Sequence, residues 1–191
     1  GRSKETIQKE IVYRDYHEAD DEACKVLEMR AMQGSRFPKL QRLFSFLIKA
    51  GFTHLVTFDA KAKQYGEYVI RVAEVPKSGL IVGVGCAVLK KAFMHSQSCK
   101  IGYVFDLRVD QSYQGYGIGK ALSQQIEAVC TQKGAEYLYL SVNSDNVKAK
   151  MMYANAGFVH ASFRSPALSI LVHPVLEDSE IPIRLVPVEE A

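Results

Sequence analysis

The sequence lacks long apolar runs, closely paired cysteines and clustered histidines. No apolar stretch approaches the roughly 20 residues that cross a membrane as a helix, and the chain does not open with a signal-peptide pattern. The four cysteines show no Cys-x-x-Cys spacing, and the five histidines stand singly. We therefore expect an intracellular protein with reduced, packed thiols and with no metal site and no redox cofactor.

An excess of charge of one sign is also missing. Lys and Arg number 24 against 21 Asp and Glu, which leaves a net charge of +3. This balance is too small to indicate nucleic-acid binding, so we predict no direct nucleic-acid partner and no membrane partner. It weakly favours an anionic ligand. The length of 191 residues and the hydrophobic fraction of 48% predict one well-buried domain.

A glycine-dense loop between a strand and a helix is the most informative feature of the chain. The apolar run from Ile101 to Val109 predicts the strand, and Gln114-Gly115-Tyr116-Gly117-Ile118-Gly119 begins five residues after its end. A loop that opens a helix presents free backbone N–H groups, which suit a phosphate. The helix itself is predicted over residues 117–133, with Gly134 as its C-cap, from the helical spacing of Ile118, Leu122, Ile126 and Val129.

This loop matches neither of the two commoner nucleotide-binding motifs. The dinucleotide fingerprint needs a third glycine where Lys120 stands. The P-loop needs a glycine where Gln114 stands and a Ser or Thr where Ala121 stands. The pattern that remains is Gln-x-x-Gly-x-Gly after a Leu-x-Val strand end. A purely structural turn is the alternative interpretation of this hexapeptide.

A second pattern follows the glycine loop. Residues 137–142 predict a short buried strand, and Ser144 or Asp145 is predicted to cap a helix over residues 146–156. That helix would end before Gly157 and present one face made of Ala149, Met152, Tyr153 and Ala156. The whole segment reads Asn146-x-x-Ala149-x-x-Met152-Tyr153-x-x-x-Gly157-Phe158.

The two segments resemble motifs A and B of the GCN5-related N-acetyltransferase (GNAT) superfamily. Met152 replaces the usual Leu of motif B, a change that roughly conserves volume. The resemblance runs from about Ile81 to Phe163. A narrower resemblance, to the hookless-type acetyltransferase-like proteins of plants, rests on residues 43–47, 134–137 and 163–175. Those plant proteins are often linked with the nucleus, so the resemblance implies a cytoplasmic or nuclear protein.

The resemblance implies a mixed α/β fold with a mostly antiparallel central sheet, which is splayed at the cofactor cleft and flanked by helices. A single domain would cover residues 1–174, and residues 175–191 would form an extended acidic tail. The pattern predicts further elements in this order: a strand at Ile11 to Tyr13, a helix from Asp20 or Asp21 to Gly34, a helix from Pro38 to Gly51, strands at 68–74 and 80–90 joined by the turn 76–79, and strands near 158–163 and 168–172.

The function implied by the resemblance is transfer of an acetyl group from acetyl-CoA to a primary amine, on a small molecule or a protein, by direct attack. The loop would bind the pyrophosphate, and the main chain of the strand end would bind the pantetheine arm. The cofactor-binding residues would be Leu107, Arg108, Val109, Gln114, Gly115, Tyr116, Gly117, Ile118, Gly119, Lys120, Asn146 and Tyr153.

Two residues are predicted to take part in the chemistry. Tyr153 matches the family position that donates a proton to the leaving sulfur, although its alternative is a packing role. Asp106 is the predicted base, although Arg108 lies two residues further along the strand and could neutralise it. Glu74 and His95 stay open as other bases.

Two other functions stay open as well. A regulatory or binding module could keep the fold and acetyl-CoA binding without turnover. A different phosphate-binding protein could share only the glycine loop, although the second motif argues against it.

Overall fold

The structure is a computed structural model that describes residues 10–32, 57–94, 97–165 and 168–174. Its strands are β1 (Val12–Asp15), β2 (Tyr68–Val75), β3 (Leu80–Met94), β4 (Gln97–Val109), β5 (Tyr137–Asn143), β6 (Val159–Ser165) and β7 (Leu168–Pro174). Within the described residues these seven strands form one sheet in the order β1-β2-β3-β4-β5-β7-β6. Neighbouring strands are antiparallel except for β4 and β5, which run parallel.

Helices cover both faces of this sheet. They are α1 (Asp21–Met32), α2 (Ala60–Lys63), α3 (Ile118–Gln132) and α4 (Val147–Asn155). Side chains of a strand alternate between the two faces, and β2 shows the result. Val72 packs in one cluster with Cys24 of α1, whereas Ala73 packs in another with Ile118 and Leu122 of α3. The helices α1 and α3 therefore lie on opposite faces.

The predicted fold class is confirmed, and most predicted elements lie within a few residues of their observed bounds. The helical spacing of residues 118–129 reports a real buried stripe, because Ile118, Leu122 and Ile126 are almost fully buried. Gly134 has φ of +84°, which suits a residue just beyond a helix C-terminus. All four cysteines are free and buried, as expected for packed thiols. No helix in the described residues has the length and apolar character required to cross a membrane.

Two predictions about local structure need correction, and one short helix was missed. The strand β3 ends at Met94 rather than at the predicted Lys90, and β4 begins at Gln97 rather than at the predicted Ile101. The added residues of β3 and β4 form a two-stranded ribbon, in which Phe93 is 80% exposed. Because the ribbon buries little, its sequence does not show the alternation of apolar and polar residues that predicts a strand. The cap of α4 is Asn146, because its side chain accepts a hydrogen bond from the Ala149 N–H. The short helix α2 was not predicted.

Some predictions fall on residues outside the described ranges. These are the closing Gly34, the helix from Pro38 to Gly51, the candidate base His95 and the tail 175–191.

An ionic cluster fastens β1 to its surroundings. The guanidinium of Arg14 donates two hydrogen bonds to Asp20, at 2.7 and 2.8 Å, and one to Glu74 at 2.6 Å. Asp20 also accepts from the His17 N–H, and it is only 5% exposed. The hydrogen bonds from Arg14 hold the pKa of Asp20 below its usual value, although burial opposes them. The cluster therefore links β1, β2 and the start of α1.

We expect Asp20→Asn to lower the free energy of unfolding at pH 7 by about 3 kcal/mol, because it removes the buried carboxylate that pairs with the half-buried Arg14 charge and leaves that charge with fewer partners. A carboxylate whose pKa is lowered by folding stabilises the fold above its unfolded value of about 3.9 and loses this effect as the pH falls further. The deficit should therefore stay constant from pH 7 to pH 5 in urea titrations.

The matched control is Glu22→Gln, which removes an acid that is 58% exposed and lies 3.5 Å from Lys25. It should change the free energy of unfolding by less than about 0.5 kcal/mol. Equal stability of the Asp20→Asn variant and the parent would contradict the structural role of this cluster.

Candidate active site

The sheet opens between its two parallel strands. The strands β4 and β5 pair from Ile101 with Tyr137 to Val104 with Leu140, and the pairing ends there. Beyond that point β4 continues to Val109 and β5 to Asn143 without being paired to each other. The predicted splay of the central sheet is therefore confirmed, and it exposes main-chain groups of both strands.

A β-bulge lies where the sheet opens. Val84 pairs with Arg108 and Cys86 pairs with Phe105, so Gly85 on β3 faces both Asp106 and Leu107 on β4. Asp106 has φ of +50° and is the only residue other than glycine with positive φ in the described part of the chain. Aspartate tolerates this left-handed conformation better than most residues.

The main chain at the end of β4 faces the opening. The Asp110 N–H donates to the Val82 carbonyl on β3 at 2.9 Å. Main-chain groups of successive strand residues point to opposite sides, so those of Val109 point away from β3. The Gln114 side chain donates to the Val109 carbonyl at 3.3 Å, which ties the glycine loop to the strand.

The helix α3 begins at the edge of the same opening. Its N-cap is Gly117, which has φ of +79° and offers no capping side chain. The first helical hydrogen bond is donated by the Ala121 N–H to the Gly117 carbonyl at 3.0 Å. The N–H groups of Ile118, Gly119 and Lys120 precede it, so they have no partner within the helix. They form a site for an anionic group.

The helix α4 forms the other wall. Asn146 caps this helix, since its side-chain Oδ1 accepts a hydrogen bond from the Ala149 N–H at 3.1 Å. Tyr153 is only 6% exposed, and its ring meets Phe158 edge-on with the centroids 5.4 Å apart. Burial raises the pKa of Tyr153 to about 12, while the positive charge of Arg108 acts in the opposite direction. The hydroxyl is therefore protonated at neutral pH and available as a donor.

A cavity of about 430 Å³ lies between these two walls. Ten of the twelve predicted cofactor-binding residues line it; Arg108 and Tyr116 do not. The ten are Leu107, Val109, Gln114, Gly115, Gly117, Ile118, Gly119, Lys120, Asn146 and Tyr153.

Arg108 and Tyr116 have other surroundings. Tyr116 packs against the hydrophobic cluster that contains Ile118 and Leu122. The Arg108 guanidinium donates to the Leu107 carbonyl at 3.2 Å and to Asp106 at 3.3 Å, and its Nε is buried without a hydrogen-bond partner in the described residues.

Asp106 is not among the residues that line the cavity. Its two carboxylate oxygens each lie 3.3 Å from a cation, one on Lys61 of α2 and the other on Arg108. Lys61 also binds Glu28 of α1 at 2.7 Å, which places the Asp106 carboxylate on the α1 side of the sheet. The alternative base Glu74 is hydrogen-bonded to Arg14 and does not line the cavity either.

Four lining residues were missed from the sequence: Tyr113, Lys148, Ala149 and Met152. Three of them had a usable signal. Lys148 and Met152, like Ala149 and Tyr153, are four residues apart and so share the side of α4 that faces the cavity. Tyr113 carries no such signal, since it ends a three-residue turn of 3-10 helix.

Comparison with known proteins agrees with this geometry. The family model described as "Acetyltransferase (GNAT) family" matches residues 37–158. The chain therefore belongs to the GNAT family of acetyltransferases.

Named relatives match only in part. An Arabidopsis thaliana protein called "Probable N-acetyltransferase HLS1-like" is 32% identical over 132 residues, which cover 56% of this chain and 31% of that protein. Mycothiol acetyltransferase of Beutenbergia cavernae is 30% identical over 84 residues, which cover 42% of this chain and 28% of that enzyme. The chain thus spans less than a third of the length of these two relatives. The expected resemblance to plant acetyltransferase-like proteins is confirmed.

Solved structures share the fold at low sequence identity. Glucosamine-6-phosphate N-acetyltransferase from Arabidopsis thaliana superimposes with a TM-score of 0.56 at 22% identity, over 81% of this chain and 95% of that one. PaiA N-acetyltransferase from Thermoplasma acidophilum, crystallised with coenzyme A, superimposes with a TM-score of 0.63 at 16% identity. The superposition covers 86% of this chain and 98% of that one. These likenesses describe the architecture.

Proposed function

We propose that this chain binds acetyl-CoA in the cavity between α3 and α4 and transfers its acetyl group to a primary amine. The observation that carries this proposal is the opening of the sheet beside an uncapped helix N-terminus, in a chain of the GNAT family. Acetyl-CoA, when bound, supplies an acetyl thioester that an amine attacks directly.

The residues fit such a ligand. The three free N–H groups of α3 suit a pyrophosphate, and the main-chain groups of Val109 suit the amides of a pantetheine arm. Gly119 lies where the two walls approach each other: a Cβ there would be 3.4 Å from Met152 Sδ and 3.6 Å from Val109 Cγ2. Tyr153, buried and neutral, also lines the cavity.

Tyr153 would act as the general acid. As the carbon–sulfur bond breaks, negative charge develops on sulfur and strengthens the hydrogen bond from the tyrosine hydroxyl. The nearby Arg108 charge favours the tyrosinate that a full proton transfer would leave.

The acceptor would be a small amine or an amine on a protein. Relatives act on chemically different acceptors, since one is named glucosamine 6-phosphate N-acetyltransferase and another [ribosomal protein bS18]-alanine N-acetyltransferase. Asp106, on the α1 side of the sheet, would accept a proton from the incoming amine. Its contacts of 3.3 Å are longer than the 2.7–2.9 Å typical of tight charge-assisted bonds, so lone pairs stay accessible.

One observation favours a second function. The same two cations compete with an amine for the Asp106 carboxylate, which suits a module that binds acetyl-CoA without turning it over. Binding of acetyl-CoA without acetylation of any member of a broad amine panel would favour this module.

We expect Gly117→Val and Gly119→Val to abolish acetyl-CoA binding in a protein that remains folded. At Gly117 the φ of +79° resists a β-branched residue, and at Gly119 the added methyl groups would fill the space between Met152 and Val109. Isothermal titration calorimetry gives the affinity, and circular dichroism gives the fold.

The matched control is Gly66→Val. Gly66 also has positive φ, at +84°, but it lies outside the cavity. This variant should bear a similar backbone strain of about 1–3 kcal/mol and bind acetyl-CoA like the parent. Parent affinity in both loop variants would remove the loop from the site.

We expect Tyr153→Phe to lower kcat about 10²-fold and to leave acetyl-CoA affinity within a few-fold of the parent. Because the pKa of Tyr153 is raised to about 12, the acid form persists through the alkaline range. The parent kcat should therefore show no descending limb from pH 7 to pH 10. An amine substrate is found first by screening for release of free coenzyme A.

Tyr65→Phe serves as the control, because Tyr65 is 49% exposed and contacts Lys90 rather than the cavity. A parent kcat in Tyr153→Phe, on a substrate for which chemistry is rate-limiting, would make Tyr153 a packing residue.

We expect Asp106→Asn to lower kcat by about 10²-fold while acetyl-CoA affinity stays within a few-fold of the parent. Asparagine tolerates the left-handed φ of this position, so the bulge should persist. Glu28→Gln is the control, since it shares the partner Lys61 without contacting Asp106. If affinity fell together with kcat, Asp106 would hold the bulge rather than act as a base.

A further inference from the structure

The cavity carries charge of one sign only. Among the described residues that line it, the ionisable side chains with a charge at neutral pH are Lys120 and Lys148, and no carboxylate accompanies them. Lys120 stands on the α3 wall and Lys148 on the α4 wall. A ligand between the walls therefore meets two cations from opposite sides.

Both lysines lack a partner within the described part of the chain, which sets them apart from most other lysines. Ion pairs hold Lys25, Lys61, Lys63, Lys77, Lys100 and Lys133. Lys90 lies over the Tyr65 ring, and Lys150 donates to the Ser144 carbonyl. Of the remaining described lysines, Lys91 lies on the exposed ribbon, and the other two are Lys120 and Lys148 in the cavity.

Their positions are unfavourable for the isolated helices. Each lysine lies in the first turn of its helix, where the positive end of the helix dipole repels a cation, and neither first turn contains an acidic residue. A local arrangement that opposes helix stability is expected where a residue serves a ligand. A bound anion would reverse the repulsion at both helix ends.

We infer that Lys148 marks the outer end of the cavity, because it lines the cavity and is exposed. Tyr153 follows it by five residues, or roughly 7–8 Å along the helix axis, and Tyr153 is buried whereas Lys148 is exposed. The inner end thus suits the reacting thioester, and the outer end suits the charged part of the carrier.

We propose that Lys148 is a second phosphate-binding cation of the carrier site, which faces Lys120 and contacts the ligand from the α4 wall. This inference rests on the proposed function, since it assigns a phosphate-bearing carrier to the same cavity. Phosphate groups of coenzyme A occur in its pyrophosphate and at its ribose 3′ position, and both have the chemistry that an unpaired lysine recognises.

The test uses the whole chain and calorimetric titration with coenzyme A and with dephospho-coenzyme A, which lacks the 3′-phosphate. Lys148→Gln should bind coenzyme A about ten-fold more weakly than the parent, as expected for loss of one charge-assisted contact. Lys148→Arg should stay within about three-fold, since it keeps the charge. Lys91→Gln removes an exposed, unpartnered lysine outside the cavity and should bind like the parent.

The two ligands separate the two phosphate sources. A loss seen with both ligands would place Lys148 on the pyrophosphate, and a loss confined to coenzyme A would place it on the 3′-phosphate; either supports the proposal. The melting temperature of ligand-free Lys148→Gln should be no lower than that of the parent, because the change relieves the repulsion at the helix end.

Parent affinity in Lys148→Gln, or an equal loss in Lys148→Arg, would overturn the role of Lys148 as a phosphate-binding cation. These outcomes leave the proposed function intact as long as the parent protein binds coenzyme A. Failure of the parent to bind coenzyme A would overturn both proposals and is seen in the first titration.

Discussion

The site depends on one packing constraint: the side chain of Leu107 on β4 and that of Ile126 on α3 meet over Gly85 of β3, which has no side chain. Gly85 faces the bulge at Asp106 and Leu107, and a Cβ at Gly85 would lie 2.7 Å from Ile126 Cδ1 and 2.8 Å from Leu107 Cδ1. The absence of that Cβ lets Leu107 approach the helix. The bulge begins at Asp106, two residues after Val104, which is the last residue of β4 that pairs with β5. We infer that this local change of strand direction keeps the two parallel strands apart.

The other parts of the site follow from that opening. Main-chain groups of β4 point into a gap that would otherwise be closed by ladder hydrogen bonds. The loop after β4 then returns the chain to the same edge, so α3 begins beside the gap with its first N–H groups free. The opposite wall is α4, which contributes the buried Tyr153 and the exposed Lys148. The carboxylate of Asp106, in contrast, lies on the face of the sheet that α1 covers, where it pairs with Lys61.

The sequence predicted those features that depend on local periodicity. The apolar stripe of Ile118, Leu122 and Ile126 predicted the helix α3, and the glycine loop before it predicted where that helix begins. It could not predict the ribbon beyond Lys90, because a two-stranded extension with an exposed Phe93 buries too little to show alternation. Asn146 was recognised within the second motif, but its role as a cap depends on a backbone geometry that composition leaves open, since Ser144 and Asp145 are equally good capping residues. The partners of Asp106 come from residues 45 positions earlier and two positions later, and the earlier one could be found only in the folded chain.

The central claim is that the gap between β4 and β5 and the first turn of α3 together hold acetyl-CoA. Amide hydrogen exchange measured by NMR, with and without acetyl-CoA, tests it most directly. We expect slower exchange at Val109 and at Ile118, Gly119 and Lys120 when the ligand is added, with unchanged rates in β1 at the far edge of the sheet. Binding that left those four amides unprotected, or protection confined to other parts of the sheet, would contradict the account.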